Sequence, residues 1–199
     1  MLEVVEMADT VLGDGTMVRI RPIESGDVVA LVEFHEGLSF GTVYRRFFGV
    51  HPHLGTHEAE HFCAADNVDR FALVAVADDA VVGVARMERV DPATTAEVAF
   101  VLADRFQHRG LGRVLALRLA AAASERGITE LVADMLPDNL PMLRLLPDAG
   151  FAVTVSLVGG IVRQACPIPI QSGTAPPRSE RVPPSAAAAI RRLQVGGCC

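Results

Sequence analysis

The residues most suited to chemistry lie between positions 97 and 113. Gln107-His108-Arg109-Gly110-Leu111-Gly112-Arg113 follows an apolar run and opens a long helical pattern. A helix N-terminus offers unpaired backbone N–H groups and the positive end of the helix dipole, so a strand–turn–helix unit of this kind can hold an anion. Gly110 and Gly112 let the backbone come close to such a group. Arg109 and Arg113 add cations that do not lose their charge. The pattern is that of a pyrophosphate cradle built without a lysine. The other reading of the same residues is a helix start whose glycines only pack against a sheet.

Glu97 is the second candidate. It interrupts the otherwise apolar run Ala96-Glu97-Val98-Ala99-Phe100-Val101-Leu102 and shares a strand face with Ala99 and Val101. A carboxylate in apolar surroundings holds its proton more tightly, which suits a base working near neutral pH. A strand-end carboxylate in solvent is the alternative. His57-Glu58-Ala59-Glu60-His61 formally matches H-E-x-x-H, which on a helix could place two histidines on zinc. Its third ligand would have to come from Asp78 or Asp79, in a turn. The expectation is therefore no metal, with these histidines on a polar helix face. His35 and His108 read as surface or loop histidines, with His108 within reach of a phosphate. Cys63 reads as a small core residue, and Arg45-Arg46, beside Tyr44 and Phe47, as either a partner or phosphate site or, the commoner case, the wet side of an amphipathic helix.

Composition narrows the field. The 199 residues include 18 cationic side chains, all of them Arg. Without Lys there is no Schiff-base lysine and no phosphate-loop lysine, which excludes pyridoxal-phosphate and Walker-type chemistry by their usual routes. Net charge is −6, and residues 1–170 are more acidic than the chain as a whole. No basic face for nucleic acid is expected. The four cysteines have no framework spacing, no basic-then-apolar leader opens the chain, and no apolar run is long enough to span a bilayer. These features point to a cytoplasmic protein without a membrane partner.

The elements that must position these groups can be read from the pattern. A strand is expected over 16–23, then a helix over 27–38 capped by Ser25, and short helices around Tyr44–Phe48 and Thr56–Ala65. Two β-rich runs, Phe71–Ala77 and Val81–Met87, flank Asp78-Asp79 and form a hairpin. A strand over Glu97–Ala103 and a helix over Gly110–Arg126 follow. The remaining elements are a strand over Thr129–Met135, a helix over Asn139–Leu146, and strands over Phe151–Leu157 and Ile161–Cys166. This order gives a mixed α/β sheet of about seven strands with helices on both faces, not an even βα repeat. Residues 1–15 read as an extension, 16–170 as the domain, and 171–199, rich in Pro, Gly, Ser and Ala, as a disordered tail.

Gln107-His108-Arg109-Gly110-Leu111-Gly112 resembles the Q/R-x-x-G-x-G/A motif of the GNAT acetyltransferase superfamily. Asn139, with Gly150-Phe151 eleven residues further on, is similar to that family's second segment. The resemblance covers residues 16–165. DGTMVRIRPI, FHEGLS…VYRRFF, VDRFALVAV, AEVAFVLAD and VADMLPDN look like a narrower group, the bacterial protein lysine acetyltransferases that modify acyl-CoA synthetases. Some of that group carry a cyclic-nucleotide-binding domain or a synthetase-like module, and neither fits within this chain.

The resemblance implies acetyl-CoA as cosubstrate and direct acetyl transfer to an amine. It implies a pantetheine arm along the backbone of Ala99, Phe100 and Val101, and pyrophosphate on the amides of Gln107, His108, Arg109, Gly110, Leu111 and Gly112. It places Asn139 on the other side of the arm, Arg144 near the CoA phosphates, and Glu97 as the base. The implied acceptor is a protein lysine, possibly on an acyl-CoA synthetase. Two other readings stand beside it: a small-molecule amine acetyltransferase, and a CoA-binding regulatory module with impaired catalysis. The last is motivated by two departures. Leu146 stands where many family members place a Tyr that protonates the leaving thiolate, and Pro147 removes an N–H late in the helix.

Overall fold

The computed structural model describes residues 8–51, 53–90 and 94–169. The tail expected over 171–199 lies outside them, as do residues 1–7 of the expected extension. Eight strands form one sheet: β1 (Ala8–Val11), β2 (Met17–Pro22), β3 (Arg70–Ala77), β4 (Ala80–Val90), β5 (Thr95–Leu102), β6 (Glu130–Met135), β7 (Thr154–Val158) and β8 (Ile161–Pro167). Their order across the sheet is β1-β2-β3-β4-β5-β6-β8-β7. The helices are α1 (Val28–Glu36), α2 (Phe40–Phe47), α3 (Thr56–Cys63), α4 (Leu111–Glu125) and α5 (Leu140–Asp148). This is the mixed sheet that the sequence pattern implies, with one strand more. The additional strand, β1, pairs with β2 around the Gly13–Gly15 turn.

Strand alternation creates two cores. Phe71, Leu73 and Ala75 of β3 face α4, with Met87, Leu115 and Leu119 in the same cluster. Ala72 and Val74 face the other way, toward Leu31, Phe34 and Ala59 of α1 and α3. The β3–β4 hairpin turns at Asp78 and Asp79, both in the left-handed region at φ 51° and 59°. Two successive positive φ values match the twist of a two-residue hairpin, and Asp tolerates them.

The expected first helix is shorter and starts differently. A 3-10 turn occupies Ser25–Asp27 before α1. Asp27, not Ser25, ties this entry together. Its Oδ2 accepts the Glu24 N–H at 2.8 Å, and its carboxylate accepts from both terminal nitrogens of Arg21 at 2.6 and 2.7 Å. The Arg21 guanidinium holds the Asp27 carboxyl below its usual range.

The decisive topological feature is at β5 and β6. All other neighbouring strands in the sheet are antiparallel; these two are parallel. They pair only over Thr95–Glu130, Ala96–Leu131 and Glu97–Val132. Beyond Glu97 they separate, although β5 runs on to Leu102 and β6 to Met135. The backbone of β5 past Glu97 therefore has no strand partner on its β6 side, and such groups call for another hydrogen-bonding partner.

Candidate active site

The gap between β5 and β6 opens into a cavity of about 600 Å³. Val98 to Leu102 line one wall, Asp134 and Ile161 belong to the opposite side, and α5 contributes Asn139 to Met142, Arg144, Leu145 and Asp148. Arg45, Arg46 and Thr42 of α2 also reach it. The volume is that of a site for a sizeable small molecule.

The cradle closes one end. Gln107, His108, Gly110, Gly112 and Arg113 line the cavity where α4 begins. Gly110 caps that helix in the left-handed conformation at φ 87°, and a Cβ there would meet nothing within 4 Å. Its glycine identity answers a backbone requirement, not a packing one. His108 is also left-handed, at φ 60°. The Gln107 amide nitrogen donates to Leu102 O at 3.2 Å and Thr42 Oγ1 at 3.1 Å, tying the end of β5 to α2. Asp104 fastens the same corner. It accepts from the Ser39 hydroxyl at 2.6 Å, the Ser39 N–H at 2.9 Å and the Thr42 hydroxyl at 2.8 Å.

Two of the cradle residues turn their side chains elsewhere. Arg109 pairs with Asp14 at 2.9 Å and lies 5.4 Å from the Phe106 ring centre. It does not line the cavity, so of the two cations expected there only Arg113 does. Leu111 is fully buried in the core beneath α4. What these two residues offer the cradle is backbone. Ala99, Phe100, Val101, Asn139 and Arg144 all line the cavity. Asn139 caps α5, its Oδ1 accepting the Met142 N–H at 3.3 Å.

Glu97 sits at the point where the strands part, and it lines the cavity. Burial holds its carboxyl above the usual range, and the nearby Asp134 carboxylate pushes in the same direction, while Arg46 opposes both. Glu88 stands directly across from it on β4 and adds a further upward push. Asp134 is itself held by Arg163 through two 2.7 Å hydrogen bonds.

Asp134 joins the site without having been expected there, and Arg46 joins it against the commoner reading of its segment. Arg46 is not on a wet helix face. It follows buried Val43 by three residues, which places both on the inner side of α2. Asp134 interrupts an apolar strand just as Glu97 does, so the same signal marks it. His35 also departs from its expected surface position, since it is 4% exposed and packs among rings. Cys63 is buried, as its pattern suggests.

The H-E-x-x-H segment forms α3, with His57 and His61 exposed. Glu58 is engaged with His51 Nε2 at 3.1 Å. Among the described residues no group of three or more His, Cys, Asp or Glu side chains is arranged to hold a metal ion. Likewise no helix among them is long and apolar enough to cross a membrane.

The model of the acetyltransferase (GNAT) family matches residues 26–151, which include the cradle, Glu97, Asn139 and Gly150-Phe151. The chain belongs to the GNAT acetyltransferase family. Acetyltransferase Pat of Mycolicibacterium smegmatis is 33% identical over 153 residues, covering 75% of this chain and 45% of that protein. The chain thus spans under half the length of this curated relative. The crystal structure of the GNAT domain of S. lividans PAT superimposes with a TM-score of 0.77 at 36% identity, covering 81% of this chain and 97% of that one. A putative acetyltransferase from Salmonella typhimurium, solved with its cofactor acetyl-CoA, shares the fold. Its TM-score is 0.62 at 21% identity, with 81% of this chain and 99% of that one covered.

Within this GNAT chain, the two departures can be located. Leu146 is fully buried in the core and does not line the cavity. The only tyrosine, Tyr44, is 40% exposed and stacks on Phe40 at 6.0 Å, outside the cavity lining. Pro147 lies inside α5, yet the helix continues to Asp148.

Proposed function

We propose that the chain is an acetyl-CoA-dependent N-acetyltransferase that passes acetyl directly to an amine, with a protein lysine as the acceptor class. One observation carries the reading. The separation of β5 from β6 exposes a stretch of unpaired backbone that leads from Glu97 to the glycine cradle in a single cavity. That cavity matches an elongated thioester cosubstrate with an anionic end. Its pantetheine arm would lie along Ala99–Val101 and its pyrophosphate on the amides at the start of α4.

The chemistry asks little of the protein. The acceptor enters as an ammonium, and the Glu97 carboxylate takes one of its protons. The neutral nitrogen then attacks the thioester carbonyl carbon. The N–C bond forms, the nitrogen gives up its second proton to water, the C–S bond breaks, and the CoA thiolate takes a proton from water, there being no tyrosine along the cavity. The acidic residues Glu97 and Asp134 favour the approach of a cationic acceptor. The protein-lysine reading rests on the resemblance of the five sequence segments and on the likeness to Pat and to the PAT domain. The working unit is taken as residues 16–170 together with the paired strand β1, in the cytoplasm.

Two measurements test this. Saturating acetyl-CoA should raise the unfolding free energy by about 2.7 kcal/mol at a hundredfold excess over Kd; no rise in Tm would overturn the CoA reading. Radiolabelled acetyl-CoA offered with acyl-CoA synthetases and with small amines should label the former. Label on small amines alone would reassign the acceptor, and binding without any transfer would make the chain a regulatory module.

A further inference from the structure

A second, smaller cavity of about 40 Å³ lies beside the first, on the sheet face that carries Glu97. Arg46, Ala99 and Val101 line both, so the two adjoin along β5. Its walls are mainly apolar side chains of the α1–α3 core, yet three basic side chains also line it: Arg46, Arg86 and His35. Arg86 stands on β4 directly across from Ala99, and its guanidinium lies 4.2 Å from the centre of the Phe62 ring. The Arg46 guanidinium lies 5.2 Å from the Phe47 ring centre. Among the described residues, neither guanidinium makes a hydrogen bond or an ion pair. Both ring nitrogens of buried His35 also lack a hydrogen-bond partner.

This is an expensive arrangement. Burial pulls the Arg86 pKa down to about 10, with the neighbouring Arg46 guanidinium adding to the fall, and burial also lowers the pKa of Arg46. Both guanidiniums are half-buried, where a charge without a hydrogen-bonded partner is costly, and the orphaned nitrogens of buried His35 add to the cost. Water can bond to His35 but does not neutralise two cations. The acids that act on them, Glu97 and Glu58 on Arg46 and Glu88 on Arg86, do so only through space and bond to neither guanidinium. What is missing is a small anion with acceptor atoms in a plane. A carboxylate fits the guanidinium fork, and a cavity of about 40 Å³ has room for a small head group of this kind.

We propose that this side cavity is a carboxylate-binding subsite of the transferase centre. In it, Arg46, Arg86 and His35 receive a carboxylate borne by one of the two substrates, either at the end of the acyl chain or on the acceptor close to its amine. The inference rests on the acetyltransferase reading and deepens it. The reaction is unaltered: one ammonium proton passes to Glu97, the amine N–C bond forms, the second N–H proton passes to water, and the C–S bond breaks with CoA leaving as the thiolate. The subsite adds a second recognition point beside Ala99 and Val101, and a positive region beside the negative one at Glu97.

Titration calorimetry on the whole chain tests it, with an arm for each source. In the first arm, acetyl-CoA is compared with succinyl-CoA and malonyl-CoA. In the second, with CoA saturating, β-alanine is compared with ethylamine and L-lysine with cadaverine. One arm should show a preference of about ten- to a hundredfold for the carboxylate-bearing member, the range set by charge-assisted hydrogen bonds. Arg86→Met should reduce that ratio to near unity while leaving acetyl-CoA affinity within about twofold. Wild-type ratios within about twofold in both arms would overturn the proposal without recourse to any variant. Binding of acetyl-CoA in such a result would leave the acetyltransferase reading standing; failure of every CoA species to bind would remove both.

Discussion

The amide nitrogen of Gln164 donates to the Leu143 carbonyl at 2.7 Å. That carbonyl is the one that Pro147, four residues on, cannot serve, since proline has no N–H. Gln164 lies on β8, is 1% exposed, and reaches across from the sheet to replace the lost helical bond. The proline late in α5 is thus accommodated. Beyond it, the Ala149 N–H bonds to Leu145 O at 3.0 Å and the Phe151 N–H to Leu146 O at 3.1 Å. The wall of the cavity formed by Asn139, Arg144 and Leu145 keeps its helix.

Gln164→Leu should therefore destabilise the chain by about 1 kcal/mol, the cost of losing a hydrogen bond to a part-buried carbonyl. In a Pro147→Ala background the helix can supply its own donor to Leu143, and the same change should cost distinctly less. Chemical denaturation of the parent, both single variants and the double variant measures the coupling. Additive costs would mean that the side chain does not stand in for the missing helical bond.

Glu97 and Glu88 face each other across β5 and β4, and the pair contributes to the pH dependence. The Glu97 carboxyl is raised by burial first, then by Asp134 and Glu88 against the opposing Arg46. As a base it works only when ionised, so kcat/KM should fall as pH drops through its raised pKa. Glu88→Gln removes a like charge and should move that limb to lower pH, with the plateau kept. Glu97→Gln should abolish the limb and lower the plateau by roughly 10²–10⁴-fold. The stability effect has the opposite sense. A raised carboxyl contributes stability that is full below its unfolded pKa, about 4.3, and is lost as pH rises through the folded value. Glu97→Gln should accordingly be more stable than the parent at neutral pH, with the gain vanishing near pH 4. A pH series of Tm checks the sign independently of activity.

Most of the fold is legible in the sequence because it is local. Alternation in 71–77 and 81–87, the paired aspartates between them and the Gly110 helix start each announce themselves within a few residues. Glu97 is legible for the same reason, as one charge in an apolar run. Arg46 and His35 are not, because their burial depends on α2 and α1 closing over β4 and β5, a contact between distant segments. The side chain of Arg109 escapes a local reading for a similar reason: Asp14, its partner, is far away in sequence. Strand β1 is hidden because four residues next to a turn carry too little pattern, and pairing with β2 supplies what the segment lacks.

Gly110 allows the cradle to be tested apart from its charge. Its φ of 87° is open to glycine and strained for any residue with a Cβ, although no neighbour stands in the way of one. Gly110→Ala should thus cost about 1–2 kcal/mol, through the backbone alone. Any shift of φ toward the ordinary region would also turn the first amides of α4 away from their common focus. Acetyl-CoA affinity should fall by about tenfold, the equivalent of about 1.4 kcal/mol, and CoA lacking its acetyl group should lose as much, since the cradle is remote from the thioester end. Gly112→Ala differs in kind. Its Cβ would come within 3.0 Å of Leu145 Cδ1, the movable end of a side chain that lines the cavity, and its backbone carries no such strain. It should bind acetyl-CoA better than Gly110→Ala does. Calorimetric titration of both variants with CoA and acetyl-CoA checks the order; equal losses would mean that crowding, not the aim of the backbone amides, governs binding at this turn.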